Sequence, residues 1–169
     1  MRSRPSPIST SRGVSMRPPV ILRNLHIRGA GIVNGNGADG IFFSSGVLLF
    51  GEADHVTIQR AGGTVQGGFG ILAVGNVVFT VTNSNVLNAQ LVGILAESGA
   101  VVNVDLSSVS SNNTAFSVNG GIIRVSGNAI YDNNTNFSVL VGGGQIATGD
   151  DNAGAVNGAA TPNGTVSKF

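Results

Sequence analysis

The chain has 169 residues, 10% of them charged, with 26 glycines, 18 asparagines, no cysteine, no tryptophan and a formal net charge of +1. That length suits one domain, and the lack of cysteine excludes disulfide staples and thiol chemistry while leaving the compartment open. Low charge with abundant Gly and Asn excludes a helical bundle or an ordinary disordered chain and favours many short strands joined by tight turns.

Residues 1–18 contain Pro5, Pro7, Pro18 and four arginines (Arg2, Arg4, Arg12, Arg17), and read as a flexible, basic, Pro/Ser-rich leader. No apolar run follows these charges, as a plain secretory signal requires. Beyond the leader, five basic residues face eight acidic ones, a balance of −3. The body therefore lacks the basic surface that nucleic acid demands. No stretch reaches the ~20 apolar residues of a membrane span.

From Val20 onward the pattern is a repeat. Leu25-His26-Ile27 and Val56-Thr57-Ile58 are matching strand-like triplets 31 residues apart, and Val56 to Val86 is a further 30. Glycine-rich insertions within Gly29–Asp39 and Gly62–Gly68 account for the extra length. The period then tightens. Gly70-Ile71-Leu72, Gly93-Ile94-Leu95 and Thr114-Ala115-Phe116 recur at 23 and 21. Phe79-Thr80-Val81, Val102-Asn103-Val104, Ile123-Arg124-Val125 and Gly144-Gln145-Ile146 recur at 23, 21 and 21. Val86, Val109 and Ile130 follow five residues behind the first three, and the fourth copy breaks at Asp151.

Short strands at this constant period predict an all-β right-handed parallel β-helix, a solenoid of about five to six coils with about 21–23 residues per regular coil. The domain spans residues 19–148, and 149–169 form a flexible Gly/Ala/Asn-rich tail. Alternation points the first and third member of each triplet inward. Three interior ladders follow: Val81, Val104, Val125 and Ile146; Val86, Val109 and Ile130; Leu72, Leu95 and Phe116. Ser111-Asn112-Asn113 and Asp132-Asn133-Asn134 occupy corners, because Asn and Asp tolerate left-handed backbone and bond their own main chain. A lone coil buries too little to fold, so uncapped ends are expected to self-associate or to be covered.

The segments "VILRNLHIRGAG", "NGADGIFFSSG", "GILAESGAVVNVDLSSVSSNN" and "GGGQIATGDDN" resemble bacterial right-handed parallel β-helix repeat proteins of the pectin-lyase-like superfamily. The resemblance runs from Val20 to about Asn152. It implies a polysaccharide partner, and its enzymatic members imply lyase or hydrolase chemistry with Ca²⁺ as the cofactor of a lyase. Fold alone does not choose an activity.

The densest polar cluster is Arg23, Asn24, Glu52, Asp54 and His55. Arg23, Asp54 and His55 form the candidate catalytic set, an acid, a base and a cation placed on one face by stacking Leu25 on Val56. The same alignment sets Asp54 over Ser84, Ser107 and Asn128, so no acidic row builds up. The competing reading is a surface ion pair beside a corner. The outward row Thr80, Asn103, Arg124 and Gln145 is the candidate binding strip for an extended ligand. Asn34–Phe42 nearly matches a Ca²⁺-binding nonapeptide, but a single copy leaves the oxygen shell incomplete and reads as a turn. Its Gly35, Gly37 and Gly40 precede a strand where a dinucleotide site needs a helix. His26 points outward, and no residues stand at metal-ligand spacing. No metal or cofactor is expected outside the lyase reading. The leading expectation is a non-catalytic structural or surface-binding repeat protein, with the polysaccharide lyase or hydrolase as the alternative.

Overall fold

The computed structural model describes residues 19–28, 39–59, 61, 68–149 and 151–154, with the backbone of 164–165. The leader expected over 1–18 lies outside the described residues, as do 29–38 and 62–67 within the two insertions and most of the tail.

The strands are β1 (Val20–Arg23), β2 (His26–Arg28), β3 (Ile41–Asp54), β4 (Thr57–Gln59), β5 (Phe69–Thr82), β6 (Asn85–Leu87), β7 (Val92–Glu97), β8 (Val101–Asp105), β9 (Ser108–Ser110), β10 (Thr114–Asn119), β11 (Gly121–Ser126), β12 (Ala129–Tyr131), β13 (Thr135–Val139), β14 (Gly144–Thr148) and β15 (Gly164–Thr165). No helix occurs among the described residues. Every strand ladder is parallel. Ten strands form one sheet, ordered β13-β10-β7-β5-β8-β11-β14-β15, with β3 pairing both β5 and β1. Five form a second, ordered β12-β9-β6-β4-β2. The chain is thus all-β, with parallel sheets curled nearly round one axis.

The large sheet has two wings because β3 and β5 each run on for 14 residues. The first half of β5 pairs with β7 and its second half with β8. The short strands of the five-stranded sheet make the third wall. Each pass of the chain lays one layer of strands on the previous layer, ~4.8 Å away.

Alternation sorts side chains into files running from layer to layer. Ala53, Val81, Val104 and Val125 form one interior file, all at most 1% exposed. Ile27, Ile58, Val86, Val109 and Ile130 form another. Gly51 shares an interior file with Phe79, Val102 and Ile123, and a Cβ on it would come within 2.6 Å of both the Phe43 and Phe79 rings. Those rings close on each other at 4.8 Å between centroids, a contact only a glycine leaves room for.

The walls meet at corners held by buried polar side chains. Val56 N donates to Ser84 Oγ (3.0 Å), Ser84 N to Ser107 Oγ (3.1 Å), Ser107 N to Asn128 Oδ1 (2.9 Å) and Asn128 N to Asn152 Oδ1 (3.0 Å). Each of these side chains also donates to a main-chain carbonyl two or three residues earlier in its own layer, as Ser84 Oγ does to Thr82 O (2.7 Å). A second such ladder runs from Ala89 N to Asn112 Oδ1 and from Asn112 N to Asn133 Oδ1. These bonds satisfy backbone groups at the bends, where the sheet ladder lapses.

Three expected alignments shift. The third interior file is Ile41, Ile71, Ile94, Phe116 and Phe137, not Leu72, Leu95 and Phe116. The step from Ile94 to Phe116 takes 22 residues, so a 21-residue ruler picks the wrong neighbour. Ile146 stacks on Ile123, while Thr148 stacks on Val125. The two additional residues lie in the turn before Gly144. Val86 stacks on Ile58, not Val56.

Past residue 148 the stacking continues. Gly149 N donates to Val125 O at 2.9 Å and Ile130 N to Ala153 O at 2.7 Å. The break expected at Asp151 is bridged by a longer return that brings Ala153 beside Ala129.

Candidate functional site

The wall built from β1, the second half of β3, the second half of β5, β8, β11 and β14 carries every candidate site residue except His55, which stands at its edge. Three outward files cross it. Phe50, Val78, Val101 and Ile122 make an apolar file that ends on Gln145. Glu52, Thr80, Asn103 and Arg124 make a polar file that ends on Ala147. Arg23, Asp54, Thr82, Asp105 and Ser126 make a hydroxyl and carboxylate file along the corner.

The expected strip of Thr80, Asn103 and Arg124 is therefore present, and Arg124 Nη1 donates to Asn103 Oδ1 at 3.3 Å. Gln145 is not in it. The shifted register of β14 puts Gln145 opposite Ile122 and leaves Ala147 opposite Arg124.

Arg23 and Asp54 pair across β1 and β3 as expected. Arg23 Nη2 donates to Glu52 Oε1 at 3.0 Å, and its Nε lies 3.8 Å from Asp54 Oδ2. The Glu52 hydrogen bond, followed by its charge, holds the Arg23 guanidinium above its ordinary value. Asp54 Oδ1 accepts from Asn83 Nδ2 (3.1 Å) and Thr82 Oγ1 (3.2 Å) and lies 2.8 Å from His55 Nδ1. The bond from Asn83, then that from His55, holds the Asp54 carboxyl below its usual range. A carboxylate stabilised in this way is a weak proton acceptor. His55 occupies the corner at φ 54°, a left-handed conformation, and its ring is 61% exposed. As donor to Asp54 it carries its proton on Nδ1.

The alignment of Asp54 with Ser84, Ser107 and Asn128 is corrected. Those three continue the file of Val56 and are buried corner residues. Asp54 aligns with Thr82 and Asp105, so carboxylates do recur along this corner. Ser126 extends the row by donating to Asp151 Oδ2 at 3.1 Å. Thr82, Asp105 and Ser126 directly follow Val81, Val104 and Val125, and that valine ladder was the signal that locates them.

Other sequence candidates take structural places. His26 stands exposed on the five-stranded wall, in file with Thr57 and Asn85. On that wall Tyr131 is held below its ordinary pKa, first by its hydrogen bond with Ser108 and then by Ser110. Asn112, Asn133 and Asn136 begin N-x-S/T sequons, yet all three are at most 5% exposed, and Asn112 and Asn133 serve the corner ladder. Of the glycine-rich segment 34–42, residues 34–38 lie outside the described residues; Asp39 Oδ1 accepts from Phe69 N at 3.3 Å. No group of three or more His, Asp or Glu side chains with metal-binding geometry occurs among the described residues. No helix among them is long and apolar enough to cross a membrane. Comparison with known proteins returns no matching family model, no matching curated protein and no matching solved structure.

Proposed function

We propose that this chain is a right-handed parallel β-helix of the pectin-lyase-like kind whose three-file wall binds a polysaccharide without cleaving it. The observation that carries the reading is the wall itself: an apolar file, a polar file and a hydroxyl and carboxylate file, all in step with the layers. A linear polymer of sugars has the complementary character, with C–H faces for Val78, Val101 and Ile122 and hydroxyls for Thr80, Asn103, Arg124 and Thr82. Repeated contacts along one strip add through multivalency without requiring a deep pocket.

The second reading, a lyase or hydrolase using Arg23, Asp54 and His55, is favoured by the 2.8 Å contact between His55 and Asp54. Ca²⁺ enters only with that reading. Against it stands the Asp54 carboxyl, whose three hydrogen-bonding partners lower its basicity.

Affinity electrophoresis on a panel of soluble neutral and acidic glycans tests the first reading, with reducing-end release and unsaturated-product absorbance followed on the same glycans with and without Ca²⁺. Retardation without turnover is expected. Turnover lost on Asp54→Ala would establish the second reading instead.

A further inference from the structure

The corner beside the carboxylate file is occupied, layer by layer, by Asn24, His55, Asn83, Leu106 and Gly127, with φ of 53°, 54°, 48°, 48° and 65°. Asparagine and glycine suit this left-handed geometry; leucine does not, because its Cβ crowds the neighbouring carbonyl. Burial does not offset that strain, since Leu106 is 62% exposed. The backbone is fixed from elsewhere. Ser107 Oγ donates to Asp105 O (2.8 Å), Ser107 N to Asn128 Oδ1 (2.9 Å) and Leu106 N to Ser126 O (3.3 Å). The fold thus imposes the conformation on whatever residue stands at 106. The leucine side chain adds strain and apolar surface but no core contact.

Its surroundings supply the other half of a sugar site. Leu106 adjoins Asp105 in sequence and Thr82–Asn83 and Ser126–Gly127 in the flanking layers. The next residue in its own file, Gly127, has no side chain, and a Cβ there would lie 3.2 Å from Leu106 Cδ2. The leucine consequently leans over an open position. Resting on the polysaccharide reading above, we propose that Leu106 is an apolar contact residue for the glycan, and that the glycan is neutral. A sugar ring laid across the corner places its C–H face on Leu106 and donates hydroxyls to Asp105, Asn83 and Thr82. The carboxylates of Asp54 and Asp105, two layers apart on the same file, repel a polyanion.

Leu106→Asn separates strain from contact. Asparagine accepts the left-handed backbone, so the variant is expected to melt at a higher temperature than the parent, with an unchanged far-ultraviolet spectrum. Its affinity for a soluble neutral β-glucan, measured by titration calorimetry, is expected to fall by roughly tenfold. Polygalacturonate, run alongside, is expected to bind weakly to both proteins. A variant that binds the β-glucan as tightly as the parent would overturn the role of Leu106 while leaving the binding reading intact. A variant that melts lower would overturn the strain argument. Tighter binding of polygalacturonate than of β-glucan would overturn the assignment of a neutral ligand. A parent chain that binds no glycan at all would remove the reading on which the inference rests.

Discussion

The layer formed by β8, β9 and β10 and the layer formed by β1 and β2 follow the same alternation, yet they differ sharply in what they bury. In the first, Val102, Val104, Val109 and Phe116 are at most 1% exposed. In the second, Val20, in file with Gly51 and Phe79, and Leu25, in file with Val56, are 41–42% exposed, and only Leu22 and Ile27 pack against the core. The side chains are of the same kind and face the same way. What differs is the neighbours: β8, β9 and β10 each have a parallel partner on both sides, whereas β1 and β2 pair only with β3 and β4 among the described strands. The corners show the same contrast. Asn128 is 1% exposed and bonded to both flanking layers, while the first layer is tied down by the exposed pairs Arg23–Glu52 and Arg28–Gln59. Pattern sets the direction of a side chain here, and stacking sets what that direction contributes to stability.

The sharpest way to break this contrast uses one residue type in both places. Ile123 is fully buried and Ile27 is half-buried. Ile123→Ala is expected to cost about 4 kcal/mol through lost burial and the cavity left behind, and Ile27→Ala about 1 kcal/mol. Denaturant unfolding of both variants measures the difference. Equal losses would show that the first layer is as firmly part of the cooperative unit as the middle ones.

Next in size is the corner ladder. Asn128→Ala leaves the buried Ser107 N–H without its acceptor and removes the amide's donations to Val104 O and Ser126 O. The expected loss is about 2–3 kcal/mol. Asn128→Ser should recover part of it, because Ser84 and Ser107 do the same work with a hydroxyl in neighbouring layers. Asn24→Ala, in the first layer, loses only the asparagine's tolerance of a left-handed backbone, about 1 kcal/mol. If serine at 128 proves no better than alanine, the ladder is packing rather than hydrogen bonding.

How much of this was legible in the sequence follows from where the period holds. The file of Val81, Val104 and Val125 and the corner pair of Ser111–Asn113 and Asp132–Asn134 could be read directly, because no insertion separates their later layers and the two corners share one build, with Ser111 and Asp132 left-handed and Asn112 and Asn133 bonding the preceding layer. The misreadings all sit where residues are added at a bend: one before Phe116, two before Gly144 and a longer insertion between Ile58 and Val86. A strand's alternation is indifferent to such additions, since either of two adjacent apolar residues, such as Ile71 and Leu72, satisfies the pattern locally. Only the pairing across layers decides which one faces in. The same ambiguity placed Gln145 in the polar strip and hid Asp105 from Asp54. The buried Ser and Asn ladder was illegible for a different reason: Ser84, Ser107 and Asn128 are small polar residues that composition assigns to turns, and their burial depends on carbonyls and N–H groups brought together only by the fold.

The smallest effect concerns the tie that holds the first layer to the body of the stack. Asp54 joins the first layer, through Arg23, to the third, through Thr82 and Asn83. Its carboxyl is held below the ordinary value of 3.8, chiefly by Asn83 and then by His55. Folding therefore stabilises the ionised form. Its contribution is present in full above the unfolded carboxyl's pKa and is lost as the pH falls from there through the lower native one. Stability measured for the parent and for Asp54→Asn should differ most above about pH 5 and converge as the pH drops toward about 2. Solvent at this corner screens the interactions, so the gap is expected to be the smallest of those considered and to narrow further in high salt. Exchange of the Asn24 amide, which donates to Asp54 O at 3.2 Å, follows the same change locally. The amide's protection, taken relative to the intrinsic exchange rate at each pH, should fall on acidification in the parent and be low throughout in the variant. A gap that stays constant from about pH 6 to about pH 2 would mean that Asp54 holds the first layer through its shape rather than its charge.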